Sequence, residues 1–389
     1  MKWITRVQLL MLILLMSACA STSKDITNTA DIEQFFHDEH FKHVEGIVQP
    51  DELFALSDQA KRSLLSAYQQ NRMTRGKNLD AHKWLANYID ADNGGFTYYD
   101  NMTKVASETF DERMGNCLSL VLLTGAMADV LGVPVTFQDI AVPPVWDKQG
   151  SFFLVNGHIN LKLKPKKEAN MVTFLSNSIQ VDFMPERAVR AYGKEVVDRN
   201  TVMAMFYNNV AAESLVMGDY DKAYQLLKTG LTIKPDYVPT LNTLAVLYRY
   251  KKMSKQAESV YKFALSLKDE DMNTLYNYAI LLASQDRLTE WAEVHKVLEL
   301  ARIRNPYYYY DMAQQAYFEM QYEEAVVWYK RAVEKADYRH EFYFGLSRAY
   351  WATGDESRAR TNLQKALALT SDDGSKQRYQ AKLHAMQSH

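Results

Sequence analysis

The sequence predicts an α+β unit followed by an all-α array of helical repeats. Three observations carry that expectation. An apolar helical pattern, "CLSLVLLTGAMADVLG", is followed by three strand-like runs, "PVTFQDI", "SFFLVNGHINLKL" and "MVTFLSNSIQVDF". Beyond about residue 204, small residues recur at a step of 34. Gly and Pro (15 and 9) make up only 24 of 389 residues, which favours helices over turn-rich sandwiches. With 45 basic and 47 acidic residues the net charge is -2, so no basic face points to nucleic acid as a partner.

Residues 1–18 read as a lipoprotein signal peptide. Lys2 and Arg6 precede "VQLLMLILLM", a run too short to span a bilayer stably, and small residues follow it. "LLMSAC" resembles the bacterial lipoprotein box, with Met16 where Leu is commoner. That resemblance implies cleavage before Cys19 and acylation of its thiol and new amine, palmitate-like chains that together anchor firmly in a membrane. Ala20 resembles the residue after the cysteine in lipoproteins sorted to an outer membrane, which implies an envelope location on its periplasmic face. An ordinary signal peptide cut nearby is the plainer alternative. Residues 19–30 are small and polar and read as a tether.

Residues 31–195 form the α+β unit. The pattern from Asp31 to Ala91 is helical, "DADNGG" breaks it, and "TYYDNMTKVASETFDERMGNC" predicts a further helix that ends at Gly115. Cys117 then stands at the first turn of the apolar helix. The chain has two cysteines, and lipidation would consume Cys19, so Cys117 would be a lone thiol in an exported protein. Unpaired N–H groups at a helix start favour thiolate over thiol. His158 lies in one strand-like run and Asp182 at the end of the next; consecutive strands tend to pair, so the two side chains are expected side by side, facing the helix of Cys117. The chemistry would be thiolate attack, imidazole acid/base work and a carboxylate that fixes the tautomer. The backbone N–H of Cys117 is one natural oxyanion donor, and Gln138 or Asn116 is a candidate for the second. A small core residue is the plainer reading of Cys117.

The order Cys, His, Asp on helix start, strand and adjacent strand resembles the transglutaminase-like superfamily, whose fold is papain-related. The matching stretches are "TKVASETFDERMGNC" with Ala106, Arg113, Gly115 and Cys117, "LLTGAMADVLGVPVTFQ", "VNGHINL" with His158, and "IQVDF" with Asp182. The resemblance covers residues 90 to 190, with 31 to 90 as an amino-terminal extension. It implies attack on an amide carbonyl through a thioester. Water would make a cysteine peptidase or amidase, an amine a transferase, with no cofactor or metal assigned.

The repeats follow at 204–373. Ala223, Ala257, Ala325 and Ala359 keep the period, with Trp291 on the missing beat. Ala211, Ala245, Ala279, Ala313 and Ser347 keep it too, as do Gly230, Ala264, Leu298, Ala332 and Ala366. Small residues where helices touch, with Tyr248, Tyr261, Tyr329 and Tyr350 between them, resemble the tetratricopeptide repeat. Five such units imply a superhelix whose inner groove binds a protein or peptide partner. Trp291 predicts a local kink, and residues 374–389 a polar capping helix. His37, His40 and His43 could offer two imidazoles to a metal, or be solvated helix residues. Tyr307 to Tyr310 could face a peptide or pack against the bent third unit, and Lys162 to Lys167 read as a solvated turn. The expectation is a membrane-anchored lipoprotein with a cysteine enzyme domain and a partner-binding array. Its alternative is a non-enzymatic scaffold for envelope assembly.

Overall fold

The computed structural model describes residues 30–75, 80–90, 95–99, 103–149, 152–166, 178–183, 192–304, 306–370 and 373–386, and the chain is mostly helical. The signal segment 1–18 and Cys19 lie outside them. Among the described residues no helix is long and apolar enough to cross a membrane.

The amino-terminal stretch is less helical than its pattern predicts. Helices form at α1 (Ala30–Glu33), α2 (Asp58–Arg75) and α3 (Ala81–Ile89), with one 3-10 turn at Asp38–His40. Residues 34–57 are otherwise irregular because their side chains pack far along the chain instead of on one another. Phe41 stacks on Tyr224 with centroids 3.9 Å apart, and Phe35 lies 4.8 Å from Phe263. Two of the strap's carbonyls are satisfied by tyrosines: Tyr248 Oη donates to Phe35 O at 2.5 Å and Tyr207 Oη to Val48 O at 2.8 Å.

The helix predicted to end at Gly115 stops sooner. After α4 (Ala106–Glu112), Arg113 turns into the left-handed region at φ 56°, its guanidinium 4.3 Å over Phe96. Met114–Gly115, strand β2, then pairs in parallel with β1 (Thr97–Tyr98). The chain next enters α5 (Cys117–Leu131), apolar nearly all round and largely buried. At Gly125 a Cβ would meet the Phe54 ring at 3.0 Å, so the helix sits hard against its neighbours. Strands β3 (Val135–Gln149), β4 (Phe152–Leu163), β5 (Ile179–Val181) and β6 (Lys194–Val197) form an antiparallel sheet in the order β5-β4-β3-β6. Consecutive strands do pair, and β6 carries the sheet to Val197, slightly past residue 195.

Five helix pairs follow among the described residues: α6 (Arg199–Val216) with α7 (Tyr220–Ile233), α8 (Val238–Tyr250) with α9 (Ser254–Leu267), α10 (Met272–Ser284) with α11 (Leu288–Arg304), α12 (Pro306–Phe318) with α13 (Tyr322–Lys335), and α14 (His340–Ala352) with α15 (Glu356–Leu369). Asp198 caps α6 by accepting from the Thr201 amide, so the array starts before 204. The period is written in the backbone. Gly218, Lys252, Asp286, Met320 and Gly354, each 34 residues from the next, all turn left-handed between the two helices of a pair. Ala223, Ala257, Ala325 and Ala359 are fully buried, as are Ala211, Ala245 and Ala313. At Gly345 a Cβ would stand 2.3 Å from the Tyr329 ring, which shows how closely these helices approach. Adjacent first helices are also bridged by Thr243 Oγ1 donating to Asn208 and Asn277 Nδ2 to Asn242. A last helix, α16 (Asp373–Ala385), covers the end of the array.

Candidate functional site

Asn116 starts α5: its Oδ1 accepts from the Ser119 amide at 2.9 Å, which places Cys117 as the first helical residue. The Cys117 thiol is free and half-buried. Strand register supplies the rest. Ile140 opposes His158, Gln138 opposes Asn160, and Leu161 opposes Val181, which sets Asn160 level with Asp182. His158 Nε2 stands 2.7 Å from Asp182 Oδ1, and Asn160 Nδ2 donates to Asp182 Oδ2 at 2.6 Å. The carboxylate is therefore held at both oxygens, and the imidazole is held at one nitrogen.

His158 is only 2% exposed. Burial is the largest influence on its ring and opposes the charge. The hydrogen bond with Asp182, the interaction with the Cys117 sulfur and the negative charge of both outweigh it, and the imidazole is pushed up to about 9. Nδ1 is buried and has no hydrogen-bond partner of its own, which leaves it the nitrogen through which a proton could pass to and from Cys117. His158 thus stands beside both Asp182 and the Cys117 sulfur.

The two oxyanion candidates separate. The Asn116 side chain is spent on structure: its oxygen caps Ser119 and its Nδ2 donates to Thr103 Oγ1 at 3.0 Å. Gln138 is buried beside Asn160, and its Oε1 has no hydrogen-bond partner. Asn160 escaped the sequence reading, although "GHINL" held a signal: two residues beyond His158 on a strand, it must share the face of His158.

The other singled-out residues have structural employment. His37 packs 5.6 Å from Tyr248, while His37 and His40 each lie 3.6 Å from Glu39. Tyr309 Oη donates to Ile303 O at 3.0 Å, and Tyr307 and Tyr310 pack on Phe342. Lys166 lies against Gly132.

The tetratricopeptide repeat family matches residues 340–373. A 72-residue stretch is 36% identical to the uncharacterized protein ycf37 of Pyropia yezoensis, over 18% of this chain and 40% of that relative's length. MamA of Desulfovibrio magneticus RS-1 is 17% identical, with 43% of this chain and 94% of that one covered at a TM-score of 0.25. YrrB, a TPR protein described as having an unusual peptide-binding site, is 16% identical, with 46% and 92% covered at 0.24. The array after the sheet therefore carries tetratricopeptide repeats, with α14 and α15 forming the matched unit.

Proposed function

We propose that the protein is a tetratricopeptide-repeat adaptor that holds a segment of a partner protein. The observation that carries this is the array itself: five stacked helix pairs on one period, one of them matched by the repeat family. Stacked pairs expose a long continuous groove, the usual use of such a surface. The test is a photo-crosslinking residue placed at Asn277, on a first helix, and separately at Lys296, on a second helix, in the whole protein. Crosslinks to one partner from the first position alone would support the groove; equal labelling from both would sink it.

A second reading is favoured by one specific observation, the buried His158 between Asp182 and Cys117. In it the sheet-bearing unit is a transglutaminase-like, papain-like domain acting on the held segment. The Cys117 thiolate attacks an amide carbonyl and a C–S bond forms. The backbone N–H of Cys117 steadies the oxyanion. As the C–N bond breaks, the His158 imidazolium gives its proton to the departing amine. Water, deprotonated by His158, then splits the thioester, releasing a carboxylic acid and restoring the thiol. Asp182 keeps the ring oriented, and Asn160 keeps Asp182 in place. Hydrolysis is preferred to transfer because water needs no site of its own. The test is the rate at which iodoacetamide alkylates Cys117 at neutral pH. His158→Ala is expected to cut it by at least about tenfold; an unchanged rate would leave Cys117 a core residue and the adaptor reading standing. Lipidation at Cys19 and an envelope location belong to the same proposal, and labelling with a palmitate analogue tests them.

A further inference from the structure

We infer that Glu213, on the first helix of the first repeat, is a positioning residue for Cys117. The inference rests on the enzymatic reading of the thiol. A chain of directed hydrogen bonds joins the two residues. Glu213 Oε1 accepts from Thr103 N and from Thr103 Oγ1, both at 2.9 Å. A hydroxyl has one proton. With that proton given to Glu213, Thr103 Oγ1 can only accept at its other side, and Asn116 Nδ2 donates to it at 3.0 Å. The Asn116 amide is thereby fixed with its oxygen toward α5. That oxygen accepts from Ser119 N at 2.9 Å and from Ser119 Oγ at 2.8 Å, while Ser119 Oγ accepts from Lys104 N at 2.9 Å.

Every proton in the chain has one destination. Turning the Asn116 amide over would set its NH2 against the Ser119 N–H and its oxygen against a Thr103 hydroxyl whose proton is already given to Glu213, so the acceptor on α6 and the start of α5 favour one and the same orientation of the cap. Ser119 is fully buried and Thr103 only 8% exposed, so water cannot readily replace the missing partner. Glu213 uses one oxygen for this work, since Oε2 is buried without a partner. Burial also holds its carboxyl above the usual range, though Thr103 opposes that. The role calls for an acceptor rather than a charge, and a protonated acid or an amide offers the same oxygen. The first repeat is in this way part of the cysteine site and not only a surface for partners.

Carbamidomethylation of Cys117 by iodoacetamide, followed by mass spectrometry on the whole protein, tests this. Glu213→Ala is expected to slow the reaction roughly fivefold, the scale of a lost cap, with Glu213→Gln within about twofold of the unchanged chain. The ratio should hold from mildly acid to mildly alkaline pH, since the helix start moves and no proton is lost. Should Glu213→Ala fail to fold, Thr103→Val carries the test, because it deletes the hydroxyl relay and leaves Glu213 in place; Thr103→Ser should restore the rate. Glu213→Ala and Thr103→Val reacting at the unchanged rate overturns the inference, and so does Glu213→Gln as slow as Glu213→Ala. His158→Ala separates the two levels. If it still slows alkylation while those variants do not, the enzymatic reading survives alone. If it too reacts at the unchanged rate, that reading fails and the inference falls with it.

Discussion

The first two repeats and the last two share a period and a helix pairing, yet they are held together differently. Repeats one and two are fused to what precedes them. A single apolar core runs from Ile32 and Leu53 through Leu122 and Leu161 to Tyr224, Tyr248 and Tyr261. Repeats four and five rely on small clusters of their own, one around Tyr329 and Leu346, one around Phe342, and one where the capping helix adds Tyr379. Between the blocks, no described residue of α11 is fully buried, and Leu288, Leu300 and Ile303 are 64, 45 and 43% exposed. Trp291 stands in this helix where the other four repeats have a buried alanine. A repeat buries its apolar face only against neighbours, and on this side the first core ends at Trp291 and Val294, which pack against it only partly buried.

Moving that tryptophan is the strongest way to break the comparison. Ala257 is fully buried at the position of repeat two that corresponds to Trp291. Ala257→Trp is expected to cost at least about 3 kcal/mol, because a well-packed core has no room for an indole. Calorimetry should show the first block unfolding earlier and the second unmoved. A loss confined to the second block would mean that the two are not separate units.

The cysteine site distinguishes the blocks by pH. His158 is pushed from its ordinary 6.5 up to about 9, so the folded state holds that proton more tightly than the unfolded chain does. The resulting stabilisation is complete below 6.5 and is lost as pH rises through about 9, at most about 3 kcal/mol. Only the transition of the first block should fall across that window. His158→Gln should flatten it, and a first block that stays level with His158 intact would show that the ring gains no charge on folding.

The period of 34 was legible because small residues recur wherever two helices touch, and a touching distance tolerates little else. Cys117, His158 and Asp182 stood out differently: a helix start and two neighbouring strands suggest that three side chains could meet, and the resemblance of the stretches around them to the transglutaminase-like superfamily singled them out. Asn160 was missed although it lay on the same strand face as His158. The strap 34–57 was misread as helical because the apolar spacing shows which side chains want cover and not what supplies it. Its cover is Tyr224, Tyr248 and Phe263, some two hundred residues away.

That strap offers a milder test. Phe41 is stacked on Tyr224 at an interplanar angle of 4° and is only half-buried. Phe41→Ala is expected to cost about 2 kcal/mol, less than a fully buried ring would. The cost should again fall on the first block alone. Urea unfolding followed by the tryptophans of each block reads it, and equal losses in both would argue for one cooperative array.

The smallest effect has the opposite sign and should appear in both blocks alike. Lys252 and Met320 occupy left-handed turns, at φ 62° and 61°, where repeats one and five have glycine. A side chain in that region strains the backbone, and glycine relieves it at a price in unfolded-chain entropy. Met320 is 74% exposed, so the side chain removed there packs against little. Lys252→Gly in the first block and Met320→Gly in the second should each stabilise by up to about 1 kcal/mol. Equal gains would show that the turn is a local feature, set within one helix pair whatever surrounds it. A gain in one block only would mean that the turns, like the cores, take their stability from what lies beside them.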